Sequence, residues 1–298
     1  MTPREEGFLL LASQLGDPGR KPLTLPQLRT LALRMRGMKK PLEDRDMTPE
    51  DLTAIGCSAE LSQRILGLLS QNAQLQWYLG KGESLGCNPI TRASEAYPEA
   101  LRRNLGMDTP SVLWAKGDVA LMNTPTVALV GSRELEQKNW DFAWEVGKQA
   151  ALQGYTLVSG NARGADRTAQ EACLEYGGKV ISIVADELIR QEQKENILYL
   201  SEDSYDLGFS ARRALERNRI IHGWGQKVFV AQSRLETGGT WKGTEQNLNK
   251  NWTPVFCFAD RTAATEALIL RGASPVTIPE LSDFSKLQPA EFSIFDPQ

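Results

Sequence analysis

The chain has 298 residues, of which 41% are hydrophobic and 24% charged, with a formal net charge of −3. Such a chain can bury a sizeable core and suits one large domain with a smaller one beside it. No apolar run reaches the roughly 20 residues of a membrane-spanning helix. The opening MTPREEGFLLLASQLG sets acids before a short apolar segment, the reverse of a secretory signal, so a cytoplasmic protein with no membrane partner is expected. Cys57, Cys87, Cys173 and Cys257 are far apart and His222 is the one histidine, which gives no metal-ligand spacing. A Ser-His-Asp or Cys-His mechanism would have to use His222, and its surroundings, RNRIIHGWG, hold neither a nucleophile elbow nor a paired thiol.

Residues 1–93 read as short helices. In LTLPQLRTLALRM, Leu25, Leu28, Leu31, Ala32 and Met35 share one helical face. MTPEDL offers a helix start with Thr48 as cap, Pro49 in the first turn and Asp51 three after the cap. Two short amphipathic helices joined through Ile55, Gly56 and Cys57 fit either of two readings. One is a helix-hairpin-helix whose amides grip a phosphate; the other is packing architecture that touches no nucleic acid.

The period then changes. TVALV (126–130), YTLVS (155–159), KVISIVA (179–185), KVFVAQ (227–232) and PVFCFA (254–259) are continuous apolar runs, as strands buried on both faces should be. Helical stripes fill the gaps: Trp140, Ala143, Trp144, Gly147, Ala150 and Ala151, then Ala165, Ala169, Ala172, Cys173 and Tyr176. The pattern predicts an α/β domain over 94–275 with a doubly wound, Rossmann-like, mostly parallel sheet, and a short tail over 276–298.

Ligands of such sheets sit where the strands end. After the first run come Gly131, Ser132 and Arg133; after the second come Ser159, Gly160, Asn161, Arg163, Gly164 and Asp166. Glycines that expose amides, a helix start and donors on Ser159 and Arg163 make an anion cradle. The plain alternative is a tight turn with Asp166 capping the helix and Arg163 in water. Between 205 and 250 there are eight basic residues against four acids. Arg217, Asn218 and Arg219 could meet successive phosphates, or these arginines could pair with Glu202, Asp206 or Glu216. In RLETGGTWKGTEQNL, Gly238, Gly239 and Lys242 repeat the glycine-turn logic, and Trp241 either stacks on a base or packs under the loop.

Six blocks in order, AYPEALRRNLGMDTPSVLWAKGD, VALVGSR, GYTLVSGNARGADRTAQEACLEYGGKVISIV, LSE, RNRII and TGGTWKGTE, resemble the DprA/Smf family of the wider SLOG group of Rossmann-like domains. The resemblance covers about 94–260. It implies a non-enzymatic protein without cofactor that binds and protects single-stranded DNA in natural transformation. It further implies help in loading a RecA-type recombinase, action as a homodimer, and a helical N-terminal domain of the SAM or helix-hairpin-helix kind. The DNA-phosphate pocket it implies comprises Ser132, Arg133, Ser159, Gly160, Arg163, Gly164, Asp166, Arg217, Asn218 and Arg219. This sequence departs from the family pattern at Asn161, at Gln170 where histidine is common, and over 184–201. After Pro275 no room is expected for the winged-helix-like domain of many members. Two other readings stay open: a phosphoribohydrolase using Glu245 in GGTWKGTE, and a sensor of a small nucleotide.

Overall fold

The computed structural model describes residues 1–36, 47–202 and 204–289. Helices come first: α1 (Pro3–Ala12), α2 (Leu25–Met35), α3 (Pro49–Ala54), α4 (Ala59–Leu69) and α5 (Asn72–Ser84). Strand β1 (Asn88–Thr91), helix α6 (Glu99–Leu105) and strand β2 (Val112–Lys116) follow. The alternating part begins with β3 (Thr126–Val130), α7 (Gln137–Leu152), β4 (Thr156–Gly160), α8 (Ala165–Glu175), β5 (Lys179–Ile183) and β6 (Ile197–Ser201). It continues with α9 (Ala211–Glu216), α10 (Asn218–Trp224), β7 (Val228–Val230), α11 (Gly238–Lys250), β8 (Val255–Phe258), α12 (Ala263–Leu270) and β9 (Ser274–Val276).

The first three helices start alike. Thr2, Thr24 and Thr48 each cap a helix through a reciprocal capping box with proline in the first turn. The predicted start at Thr48 is one of them: its hydroxyl accepts from Asp51 N at 3.2 Å, and Asp51 Oδ2 accepts from Thr48 N at 3.1 Å. Between α3 and α4 the turn amides are already used, Gly56 N on Thr53 O and Cys57 N on Leu52 O, both at 2.9 Å. Arg34 also donates to Gly56 O at 2.7 Å. Gly56 and Cys57, whose amides are engaged in closing α3, do not present them to a phosphate.

The strands form one sheet in the order β1-β2-β6-β5-β4-β3-β7-β8-β9. From β6 to β9 every pairing is parallel, while β1 and β2 add an antiparallel edge. Strands β3, β4 and β6 are buried along their whole length, as central strands of a doubly wound sheet must be. Alternation along β3 divides the core. Val127 and Leu129 pack with Phe142, Ala143 and Val146 of α7 and with the leucines of α1, whereas Ala128 and Val130 pack with Ile220, Ile221 and Trp224 of α10.

Four strands lie outside the sequence expectation: β1, β2, β6 and β9. β1 and β9 are the sheet's two edge strands, β2 pairs β1 in the antiparallel flank, and β6 follows the charged run QEQKEN, which hides a short apolar segment. The sheet thus begins before residue 94. Past residue 275 the chain stays packed, with Leu281 and Phe284 wholly buried and Phe284 against Tyr155 and Phe229. Residues 290–298 of the expected tail lie outside the described residues.

His222 is wholly buried, with Nδ1 3.2 Å from the Asn247 amide. Burial pushes its pKa from 6.5 down to about 3. Between those values the unfolded chain binds a proton that the folded chain refuses. The stability that His222 contributes is therefore complete above pH 6.5 and is lost as pH falls toward 3, by up to about 1.4 kcal/mol per pH unit. Urea unfolding between pH 7 and pH 4 should show this decline, and His222→Gln should flatten it. An equally steep decline in the variant would assign it to other groups.

Candidate nucleic-acid interface

The strand order reverses at β3. The chain moves outward through β4, β5 and β6, then returns to pair β7 on the other side of β3. At such a point the loops leaving the two adjacent strands diverge and open a crevice at their carboxyl ends. Here those loops are 131–136 and 231–237, and the β4–α8 turn stands beside them.

Close backbone approaches tie these loops together. Thr240 Oγ1 donates to the Gly131 carbonyl at 2.9 Å and Ala165 N to the Ser132 carbonyl at 3.1 Å. Gly164 has φ +85°, and a Cβ there would stand 2.4 Å from Ser132 O. Only glycine fits both the backbone conformation and the space. Asn218 Nδ2 donates to the Gly239 carbonyl at 3.0 Å and links α10 to the first turn of α11.

Beneath the crevice lies a buried ion pair. Arg217, the residue where α9 passes into α10, donates from Nη1 to Ile183 O at 2.6 Å, and its Nη2 is 3.6 Å from Asp166 Oδ2. Its guanidinium lies against Gly160 so closely that a Cβ there would be 1.8 Å from Nη1. Burial raises the Asp166 pKa against the pull of Arg217, and burial lowers that of Arg217. Both directions report two charges removed from water and held by each other.

This geometry sorts the residues singled out in the sequence. Ser159 is wholly buried, and its hydroxyl accepts from Gln170 Nε2 at 2.6 Å. It is therefore not a donor to a surface anion. Gln170 also reaches Ser182 Oγ at 3.3 Å and so ties β4 to β5. The amides expected to be open at the start of α8 are largely engaged: Ala165 N on Ser132 O, Arg167 N on Ala162 O and Thr168 N on Gly164 O. Asp166 itself accepts from Ala162 N at 3.3 Å, so a carboxylate stands where the cradle was expected to hold a ligand anion. Arg219 is likewise committed, to both Glu202 oxygens, to Asp108 O at 3.1 Å and to Glu216 O at 2.7 Å. Burial opposes the charge on Arg219, and Glu202 overrides it and raises the pKa. Arg213 is buried and holds the Ala185, Leu207 and Gly208 carbonyls. Asn161 donates to Gln191 Oε1 at 2.9 Å. Trp241 packs beneath Arg271, which also pairs with Glu245 at 3.5 Å. That pairing engages the carboxylate that a glycosidic mechanism would need.

What faces water is a rim of cations. Arg133 and Arg163 are exposed, and Arg163 and Arg234 share Glu134 at 3.9 and 2.9 Å, with every side chain in that cluster at least 68% exposed. Exposed pairs of this kind contribute about 0–1 kcal/mol, so an incoming phosphate can replace Glu134. Arg167, in the first turn of α8, adds another exposed cation. Phe209 is 56% exposed, and the Arg133 guanidinium sits 5.9 Å from its ring centre. Sequence reasoning passed over Phe209 and Arg167, and counted Arg234 in the basic stretch 205–250 without placing it at the site. A lone phenylalanine in LGFS carries no periodic signal, and exposure becomes visible only in the fold. Lys242 lies apart from the rim, in the wall of a neighbouring cavity.

Comparison with known proteins agrees with this architecture. The model of the family described as DNA recombination-mediator protein A matches residues 88–285. The DNA processing protein DprA of Bacillus subtilis is 26% identical over 205 residues, covering 64% of this chain and 68% of that protein. The match spans about half the length of other curated relatives. The X-ray structure of DprA from Streptococcus pneumoniae superposes with a TM-score of 0.74 at 23% identity, covering 97% of this chain and 99% of that one. DprA from Helicobacter pylori, solved for its single-stranded DNA binding mode, gives 0.55 at 22% identity over 66% of this chain and 94% of that one. Both structures share the fold.

If Arg217 is a strut, Arg217→Ala should lower stability by about 3–5 kcal/mol, since it strands a buried carboxylate. Arg133→Ala and Arg163→Ala should each stay within about 0.5 kcal/mol of the parent. Denaturant unfolding decides; three equal, small effects would deny Arg217 that role. With two thirds of its length matched by the family model and the family's fold throughout, the chain belongs to the DNA recombination-mediator protein A family.

Proposed function

We propose that this chain binds single-stranded DNA along the rim formed by Arg133, Arg163, Arg167 and Arg234, and acts by binding rather than by catalysis. The observation that carries the reading is the exposed cation cluster at the switch point, with Phe209 beside Arg133. Guanidinium groups take phosphates without regard to sequence, and an exposed ring accepts any base by stacking. Single strands suit this surface better than duplex, because stacking on Phe209 needs an unpaired base face. Family membership and the single-stranded DNA binding of the Helicobacter pylori relative support the same reading. Protection of the strand, delivery of a RecA-type recombinase onto it, and action as a homodimer in the cytoplasm complete the proposed role.

Fluorescence anisotropy with labelled oligo-dT tests the proposal. Log affinity should fall with log salt by about 0.7 for each phosphate neutralised. Arg133→Ala combined with Arg163→Ala should weaken every sequence by a similar factor, on the order of tenfold or more. Phe209→Ala should remove about 1–3 kcal/mol. Unchanged affinity in both variants, each with parental stability, would take the rim out of the account.

A further inference from the structure

A cavity of about 890 Å³ lies between α2 and the outer faces of α9 and α11. Its volume is within the range of about 300–1,000 Å³ typical of ligand sites. Leu25 and Leu28 of α2 face Leu215 of α9 across it, and Arg212 and Lys242 stand in the same wall. Apolar surface with two cations beside it is the complement of a nucleotide: a flat, weakly polar base carrying a phosphate.

Both cations can be engaged. Arg212 is 78% exposed and holds only a 3.4 Å pair with Glu216 one helical turn away, an interaction worth about 0.2–0.5 kcal/mol. Among the described residues the Lys242 ammonium makes no ion pair or hydrogen bond, and its side chain is exposed. Arg219, also in the wall, is committed to Glu202, and Arg213 to the Leu207 and Gly208 carbonyls, so of the four cations in the wall Arg212 and Lys242 are the two open to a ligand, with Glu216 beside Arg212.

The cavity also adjoins the rim. Leu207, Gly208 and Ser210 line it, while Phe209 between them lies against Arg133. Arg213 fixes this segment through the Leu207 and Gly208 carbonyls at 2.7 and 2.8 Å. On the other side, a Cβ on Gly239 would stand 3.3 Å from Leu215. A strand that stacks a base on Phe209 therefore has the cavity mouth immediately beyond it.

We infer that this cavity holds a nucleotide unit, with its phosphate on Arg212 and Lys242 and its base against Leu25, Leu28 and Leu215. The unit is either a free mononucleotide or part of the strand leaving the rim; the second source rests on the function proposed above.

The test uses the full chain, dTMP in equilibrium dialysis, and oligo-dT of roughly 20 nucleotides in anisotropy, a length that outruns the rim. Three variants are compared: Arg212→Ala with Lys242→Ala, Leu215→Trp to fill the cavity, and Arg133→Ala with Arg163→Ala. Every substituted position is exposed, and unchanged thermal unfolding confirms the fold. If the strand is the source, the first variant weakens oligo-dT by fivefold or more and reduces its salt slope by about 0.7, the contribution of the one phosphate held there. Leu215→Trp then weakens it without changing the slope. If a free nucleotide is the source, dTMP binds the parent and is lost in the first two variants while oligo-dT is unaffected. Should dTMP and oligo-dT binding both be indifferent to the cavity variants, the inference is overturned, and it is overturned equally if dTMP binding responds only to the rim variant. Loss of oligo-dT binding in the rim variant alone leaves the proposed function standing without the cavity.

Discussion

The crevice depends on one buried interaction, the guanidinium of Arg217 clamped between Asp166, the Ile183 carbonyl and the bare face of Gly160. It joins the end of β4, the first turn of α8, the end of β5 and the joint between α9 and α10. Two charges are tolerable there because each offsets the other and the arginine also meets a carbonyl. Glycine is required at 160 because the guanidinium occupies the volume of a side chain. The pair makes the floor of the crevice close to neutral, so attraction for an anion comes from the exposed side chains above it.

That division of labour accounts for an acidic protein with a cationic working edge. The formal net charge is −3, yet loops from three strands bring Arg163 and Arg234 onto a single acid, Glu134, next in the chain to the exposed Arg133. Local charge governs encounter with a polyanion at distances within a Debye length, about 8–10 Å at physiological salt. Phe209 beside Arg133 supplies what charge alone does not, a flat surface for a base.

Much of the fold was legible in the sequence. Buried parallel strands write continuous apolar runs, and β3, β4, β5, β7 and β8 fall on the runs expected for them. Edge strands are short and need little hydrophobic signal, which hid β1 and β9, while β2 precedes the alternating strand–helix pattern. In the site, sequence located the loops but did not separate their roles. Arg217 and Arg219 look alike in RNR, and both like Arg133. Burial distinguishes them: Arg217 and Arg219 are bound by Asp166 and Glu202, while Arg133 stays at the surface. The glycine turn after β4 was recognisable, but the fate of its amides was not. Ala162 N turns inward to Asp166 and Ala165 N to the Ser132 carbonyl, so the turn serves to lock two loops together.

The central claim is that the buried pair supports the interface while the exposed cations make it. The most direct measurement is the oligo-dT affinity of the double variant Asp166→Leu with Arg217→Met, in which an apolar pair of similar volume replaces the ionic one. The account predicts a folded protein whose affinity equals the parent's, because the pair that is removed carries no net charge. A folded double variant that loses tenfold or more in affinity would contradict it, and would make Arg217 a DNA contact instead of a strut.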